Sequence, residues 1–153
     1  MNKKHRFVNY KPSLIRFYNQ EHEKLFEDIT LVAIEPETDA IICVGLNVRE
    51  NWDILERENM VIGSIFKNEV VAEFDLSIAI FKYFLWKAKV RRFPRPKIAV
   101  CVSVDMTQVE ERALVELLNS LGARDIMIIE GSFEKAKGDI PSTYRTIIEI
   151  TSS

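Results

Sequence analysis

The side chains most often used for chemistry are few in this chain and lie far apart. His5 and His22 both stand in polar N-terminal stretches, and neither has a second ligand at metal spacing, so no metal is expected. Cys43 and Cys101 sit inside apolar, β-branched runs with no histidine near them in sequence. Thiols so placed read as small buried side chains of a reducing compartment, not as nucleophiles, disulfide halves or metal ligands. The carboxylates are numerous but scattered over polar stretches. Two groupings have a spacing that does something. Thr107 and Glu110 are three residues apart, directly before an apolar-periodic run. That is the capping-box pattern, in which the hydroxyl and the carboxylate each satisfy an N–H of the first helical turn. In Lys87 to Lys97, KAKVRRFPRPK, six cations surround Phe93. One reading is a helix C-terminus whose cations complement the dipole, followed by a solvated loop. The other is a membrane-surface contact, with Arg91, Arg92 and Arg95 drawn to anionic lipid and Phe93 entering the interface. No recognisable nucleic-acid module accompanies the stretch, so nucleic acid is not an expected partner.

The elements that must position these groups fit one domain of 153 residues. Hydrophobic residues make up 47% of the chain, enough for a sizeable core, and the formal net charge of −2 gives no general affinity for polyanions. Basic residues open the chain, but no sustained apolar region follows, so no signal peptide is expected. Lys82 and Lys87 interrupt the most apolar segment, which excludes a spanning helix and makes the cytoplasm the default location.

The clearest element pattern is Lys97 to Gly131. Ile98, Val100 and Val102 begin a strand buried on both faces. Thr107 caps a helix whose apolar stripe is Val109, Ala113, Leu114, Leu117, Leu118 and Leu121. Gly122 ends it, and Ile126 to Ile129 form the next strand, as in a right-handed crossover. Upstream, Ser13 to Tyr18 reads as a strand and Gln20 to Glu27 as a charged, solvated stretch. Thr30 to Ile34 and Ala40 to Val44 read as a hairpin. A short helix is expected over Val48 to Arg57, with Trp52 and Leu55 inward. Met60 to Ile65 and Glu69 to Phe74 read as extended runs. A helix capped by Asp75 or Ser77 should run to about Lys89, with Ile78, Phe81, Phe84 and Leu85 inward and Tyr83 and Trp86 extending the apolar area. Pro94 and Pro96 separate it from the strand. Phe133 to Lys137 is a short helical run and Thr146 to Ile150 a last strand.

Thr107, Val109, Glu110, Arg112 and Ala113, then Gly122-Ala123-Arg124, then Ile129-Glu130, resemble the first domain of MreB, the bacterial actin-like family of rod-shape maintenance. Leu31 to Ile34 through Val44-Gly45, and Lys67 to Tyr83, are similar to the same domain. The resemblance runs from about Ser13 to Ser152 and implies an α/β, actin-like (ribonuclease H-like) fold, a mixed sheet with flanking helices. It covers one domain of two, with the second absent.

The resemblance also implies two glycine-rich phosphate loops, each with an aspartate. Backbone N–H groups must approach a phosphate closely, and a Cβ obstructs them. The chain has five glycines, no two of them adjacent or one apart. The first loop should fall near Val8 to Ser13, where neither aspartate nor glycine occurs. At the second, Glu149 stands for the aspartate, and Thr151, Ser152 and Ser153 replace the glycines. Glu110 matches the family's water-orienting glutamate, but positioning a water against an absent phosphate accelerates nothing, and its pairing with Thr107 already accounts for it. The family also carries an apolar membrane loop where Phe93 lies. The expectation is therefore a non-catalytic MreB-like protein of cell-shape or filament organisation, with no cofactor of its own. Its partner is itself or an actin-like filament protein, in the cytoplasm or peripherally at the inner face of the plasma membrane. Two alternatives are an ATPase domain whose Mg-ATP site a partner completes, and a membrane-surface adaptor.

Overall fold

The central strand of the larger sheet is the last one in the chain. The structure, a computed structural model, describes residues 12–64, 74–102 and 106–152. In chain order the elements are β1 (Ser13–Tyr18), β2 (Lys24–Ile29), β3 (Leu31–Ile34), β4 (Ile41–Val44), α1 (Leu46–Glu50), α2 (Trp52–Arg57), β5 (Val61–Ser64), α3 (Phe74–Lys87), β6 (Lys97–Val102), α4 (Gln108–Ser120), β7 (Asp125–Glu130), α5 (Phe133–Ala136) and β8 (Thr146–Ser152). Five strands form a mixed sheet in the order β2-β1-β8-β6-β7, and three form a smaller sheet in the order β4-β3-β5. β8 runs antiparallel to β1 and parallel to β6, with Ile148 opposite both Phe17 and Val100. β6 and β7 are parallel, as the crossover through α4 requires.

The crossover unit follows its local signals. The Thr107 Oγ1 accepts from the Glu110 N–H at 3.1 Å, and the Glu110 carboxylate accepts from the Thr107 N–H at 2.8 Å. Leu114, Leu117, Leu118 and Leu121 are buried. Val109 is 71% exposed and Ala113 is also exposed, so the first turn of α4 does not carry the expected stripe. Gly122 follows the helix at φ +101, the left-handed conformation that glycine adopts without strain.

Three other expectations are corrected. Lys24 to Ile29 is the edge strand β2, not a solvated stretch; its ladder to β1 turns Phe26 onto Phe17 and Phe84 while Leu25 and Glu27 face solvent. Val48 to Arg57 is two short helices that meet at Asn51. In α3 the fully inward residues are Leu76, Ile80, Phe81 and Phe84, with Ala88 buried just beyond its end; Ile78 and Leu85 are half-buried, and Trp86 is exposed. The helix already includes Phe74 and ends at Lys87, so neither Asp75 nor Ser77 is its cap. The expected run from Glu69 lies outside the described residues up to Phe74.

β2 and β3 are one extended run that changes sheets at Thr30. Its buried hydroxyl shares a hydrogen bond with Ser64 at 2.9 Å and accepts from the Ser13 N–H at 3.0 Å. This ties β1, β3 and β5 at one corner. One face of the larger sheet (Ile15, Phe17, Val100, Ile148, Ile150) packs against α3 and α4. The other face (Ala99, Cys101, Ile147) packs against α5 and Tyr144.

Candidate functional site

Two ends of the sheet concern function. At the first lie the carboxyl ends of β6, β7 and β8 and the start of β1, because Ser13 pairs with Ser152 and Val102 with both Glu130 and Ile150. In open α/β sheets such a strand-end edge is where ligands usually bind. Glu110 stands beyond this edge at the head of α4, its Oε1 held by the Thr107 N–H. Thr151 and Ser152 are in strand β8, opposite Leu14 and Ser13, so their backbones belong to a ladder. The first-loop residues 8–11 lie outside the described residues, as do His5 and Ser153.

Glu149 is only 5% exposed and lies in the middle of the sheet, opposite Arg16 on one side and Cys101 on the other. Its side chain points to the face that α5 covers, whereas α4, which carries Glu110, packs on the opposite face; the structure does not bring the two glutamates together. The Glu149 Oε1 accepts from the Arg16 Nη1 at 3.2 Å and from the Tyr18 hydroxyl at 3.1 Å, and its Oε2 accepts from the Phe133 N–H at 2.9 Å. Both oxygens are thus used within the protein. Arg16 continues to Glu27 at 2.7 Å, and Lys24 reaches the same Glu27 oxygen at 3.1 Å, giving an alternating line of charges across three strands. The Glu27 carboxyl is held below its ordinary range chiefly by Arg16. The Tyr18 ring stacks on Phe133 at 3.8 Å, and His22, exposed and solitary, meets Phe133 edge-on at 5.5 Å. Burial, reinforced by Glu149, pushes the Tyr18 phenol up to about 12. Burial, with Glu149 adding to it, pushes the Cys101 thiol up to about 11, so this sulfur stays protonated and weakly nucleophilic. Cys43 is half-buried, and both cysteines are free thiols. Among the described residues no group of His, Cys, Asp and Glu is arranged to hold a metal.

At the opposite end of the molecule the basic loop joins α3 to β6. Phe93 is 82% exposed and Trp86, in the last turn of α3, is 72% exposed. Arg91, Arg92 and Arg95 are exposed around them. Arg95 is anchored, donating from Nε to the Gly122 carbonyl at 3.1 Å and from Nη2 to the Ala123 carbonyl at 3.2 Å. Trp86 is the residue that periodicity misplaces here, since in an almost wholly apolar helix any face can be assigned inward. No described helix is long and apolar enough to cross a membrane.

Residues 13–141 match the family model "MreB/Mbl protein". The chain belongs to the MreB/Mbl family. Among curated MreB/Mbl relatives, the cell shape-determining protein Mbl of Bacillus cereus is 30% identical over 104 residues, covering 66% of this chain and 30% of that protein. The cell shape-determining protein MreB of Pasteurella multocida is 30% identical over 119 residues, covering 74% and 34%. The chain thus spans about a third of the length of these relatives. The crystal structure of MreB 5 of Spiroplasma citri bound to AMPPNP superposes with a TM-score of 0.60 at 18% identity, over 82% of this chain and 38% of that one. That likeness establishes the actin-like fold of this MreB/Mbl chain.

Proposed function

We propose that this MreB/Mbl chain acts in cell-shape or filament organisation without hydrolysing nucleotide, as a first-domain relative that binds copies of itself or a filament-forming member of the family. The observation that carries the reading is Glu149. This acid, which the resemblance sets at the second phosphate loop, has both oxygens engaged by Arg16, Tyr18 and the Phe133 N–H beneath α5. Thr151 and Ser152 sit in a strand ladder, and Glu110 caps its own helix. The Spiroplasma relative is described as bound to AMPPNP. What supports the reading is that the matched acids Glu149 and Glu110 are each engaged within the protein, and that the chain has no paired glycines to offer N–H groups to a phosphate. Calorimetry with Mg-ATP tests this: no binding at micromolar ATP is expected, and clear saturable binding restores the ATPase alternative. Light scattering of the chain alone and mixed with a full-length MreB from the same cell tests the partner. A shift in mass in either sample is expected, and a monomer in both sinks the interaction reading.

Peripheral residence at the cytoplasmic face of the plasma membrane is a second reading, favoured by the two exposed aromatics, Phe93 and Trp86, among cations. Two anchors meet the two-signal requirement better than one. Vesicle co-sedimentation should fall for Phe93→Ala and fall further for Phe93→Ala/Trp86→Ala; binding indifferent to both substitutions removes this reading.

A further inference from the structure

Beside the basic loop lies a hollow of about 530 Å³ that Trp86 does not line. Six cations line it: Lys89, Arg91, Arg95, Lys97, Arg124 and Arg145. They come from three separate segments, the stretch from Lys89 to the first residue of β6, the turn before β7 and the residue before β8, and the fold brings these together. No aspartate or glutamate is among the lining residues. Among the described residues none of the six is in an ion pair. The carboxylate that feels Lys97 and Arg124 is Asp125, and its oxygens are taken by the Tyr144 hydroxyl at 2.7 Å and the Ile126 N–H at 3.0 Å.

Concentrating six like charges around a concavity is unfavourable unless an anion offsets them, and a low-dielectric wall focuses their field into the hollow. The frame is partly fixed. The Arg124 N–H donates to the Pro96 carbonyl at 2.7 Å, the Arg95 guanidinium is held by two carbonyls, and Lys97 and Arg145 flank or begin strands that pair near this end of the sheet. Asn19, Thr143 and Thr146 add neutral polar groups to the lining. Several guanidinium groups on one concave wall match the oxygens of a multiply charged phosphate better than a single carboxylate. No aromatic ring is among the lining residues, so there is no platform on which a nucleobase would stack. We propose that this hollow binds a phosphate ester without a base, either a lipid headgroup or a soluble polyanion of that chemistry. The proposal stands apart from the reading given above for Phe93, which does not line the hollow.

The test uses the full chain with inorganic pyrophosphate in calorimetry, and with phosphatidylcholine vesicles with and without phosphatidylglycerol in co-sedimentation. Three variants are compared with wild type. Arg124→Glu/Arg145→Glu reverses two exposed cations of the hollow. Arg49→Glu/Arg57→Glu makes the same change in net charge on exposed positions of α1 and α2. Phe93→Ala removes the aromatic wedge. Equal far-UV circular dichroism and melting temperature check that each variant is folded. Binding to at least one probe is expected to weaken by about tenfold or more in the first variant and to stay within about twofold in the second. Pyrophosphate binding is expected to survive Phe93→Ala, which separates this site from the membrane reading. Competition of pyrophosphate with anionic vesicles assigns the hollow to a headgroup, and pyrophosphate binding without vesicle binding assigns it to a soluble ester. The proposal is overturned if wild type binds neither probe, if Arg124→Glu/Arg145→Glu binds as wild type does, or if both charge-reversal pairs weaken binding equally.

Discussion

At the residue scale, Glu149 separates a structural acid from a catalytic one. A carboxylate kept for chemistry is usually dispensable for stability, because function and stability trade off at such sites. Glu149 is instead buried against an arginine, a phenol and a backbone N–H, so its removal leaves three donors without their acceptor. Glu149→Ala should lower unfolding stability by about 3 kcal/mol and Glu149→Gln by about 1–2 kcal/mol, read from urea midpoints. A neutral or stabilising Glu149→Gln would contradict the structural role. Tyr18 gives an independent check. Its phenol is raised from 10.0 to about 12, so the folded state holds that proton more tightly than the unfolded chain. The stability this contributes is complete below pH 10 and is lost as pH rises towards about 12. Absorbance of phenolate against pH should show a late component that Tyr18→Phe abolishes. None of these partners was legible in the sequence. The resemblance marks Glu149 itself, but Arg16 and Tyr18 lie 133 and 131 residues away, and only the strand order makes them neighbours.

At the element scale, signals that act within one turn were legible and those that depend on a partner element were not. The capping box of α4 and its Gly122 stop are set by adjacent residues, and both are present. β2 was missed because an edge strand carries polar residues on its open face, which imitates a solvated loop. The inward face of α3 was rotated because aromatic residues all round the helix blur its period. Two contrasts test these elements. Thr107→Ala should cost about 1 kcal/mol and Thr107→Ser almost nothing, as measured by the chemical-denaturation midpoint. Equal losses for the two would mean that the hydroxyl does not cap. Among the glycines, Gly45 combines φ +74 with a position where an added Cβ would run into the Asp28 carboxylate, which itself accepts the Leu46 N–H at 2.8 Å. Gly122 has φ +101 but open space around it. Gly45→Ala should therefore destabilise by more than about 2 kcal/mol and Gly122→Ala by about 1 kcal/mol. A reversed order would show that the Asp28 contact is not the source of the difference.

At the scale of the whole molecule, the position of β8 decides whether this chain is one cooperative unit. In the structure β8 is the middle strand, and it supplies the only ladder among the described residues between the β2-β1 pair and the β6-β7 pair. Sequence periodicity shows that Thr146 to Ile150 is a strand but is silent on its slot, since slot order is fixed by pairings across the whole chain. Ile147, Ile148 and Ile150 are each at most 1% exposed. At about 2 kcal/mol for each fully buried side chain, they contribute about 6 kcal/mol, comparable with the total stability of many domains. A chain ending at Arg145 should therefore lose its cooperative melt and its near-UV circular dichroism, because both flanking strands would expose edges as well as apolar faces. A peptide of residues 146–153 added in trans should restore them, since its pairing with β1 and β6 is what joins the two halves of the sheet. If the shortened chain melts like the full one, β8 is not the central strand, and the sealing of Glu149 beneath α5 falls with it.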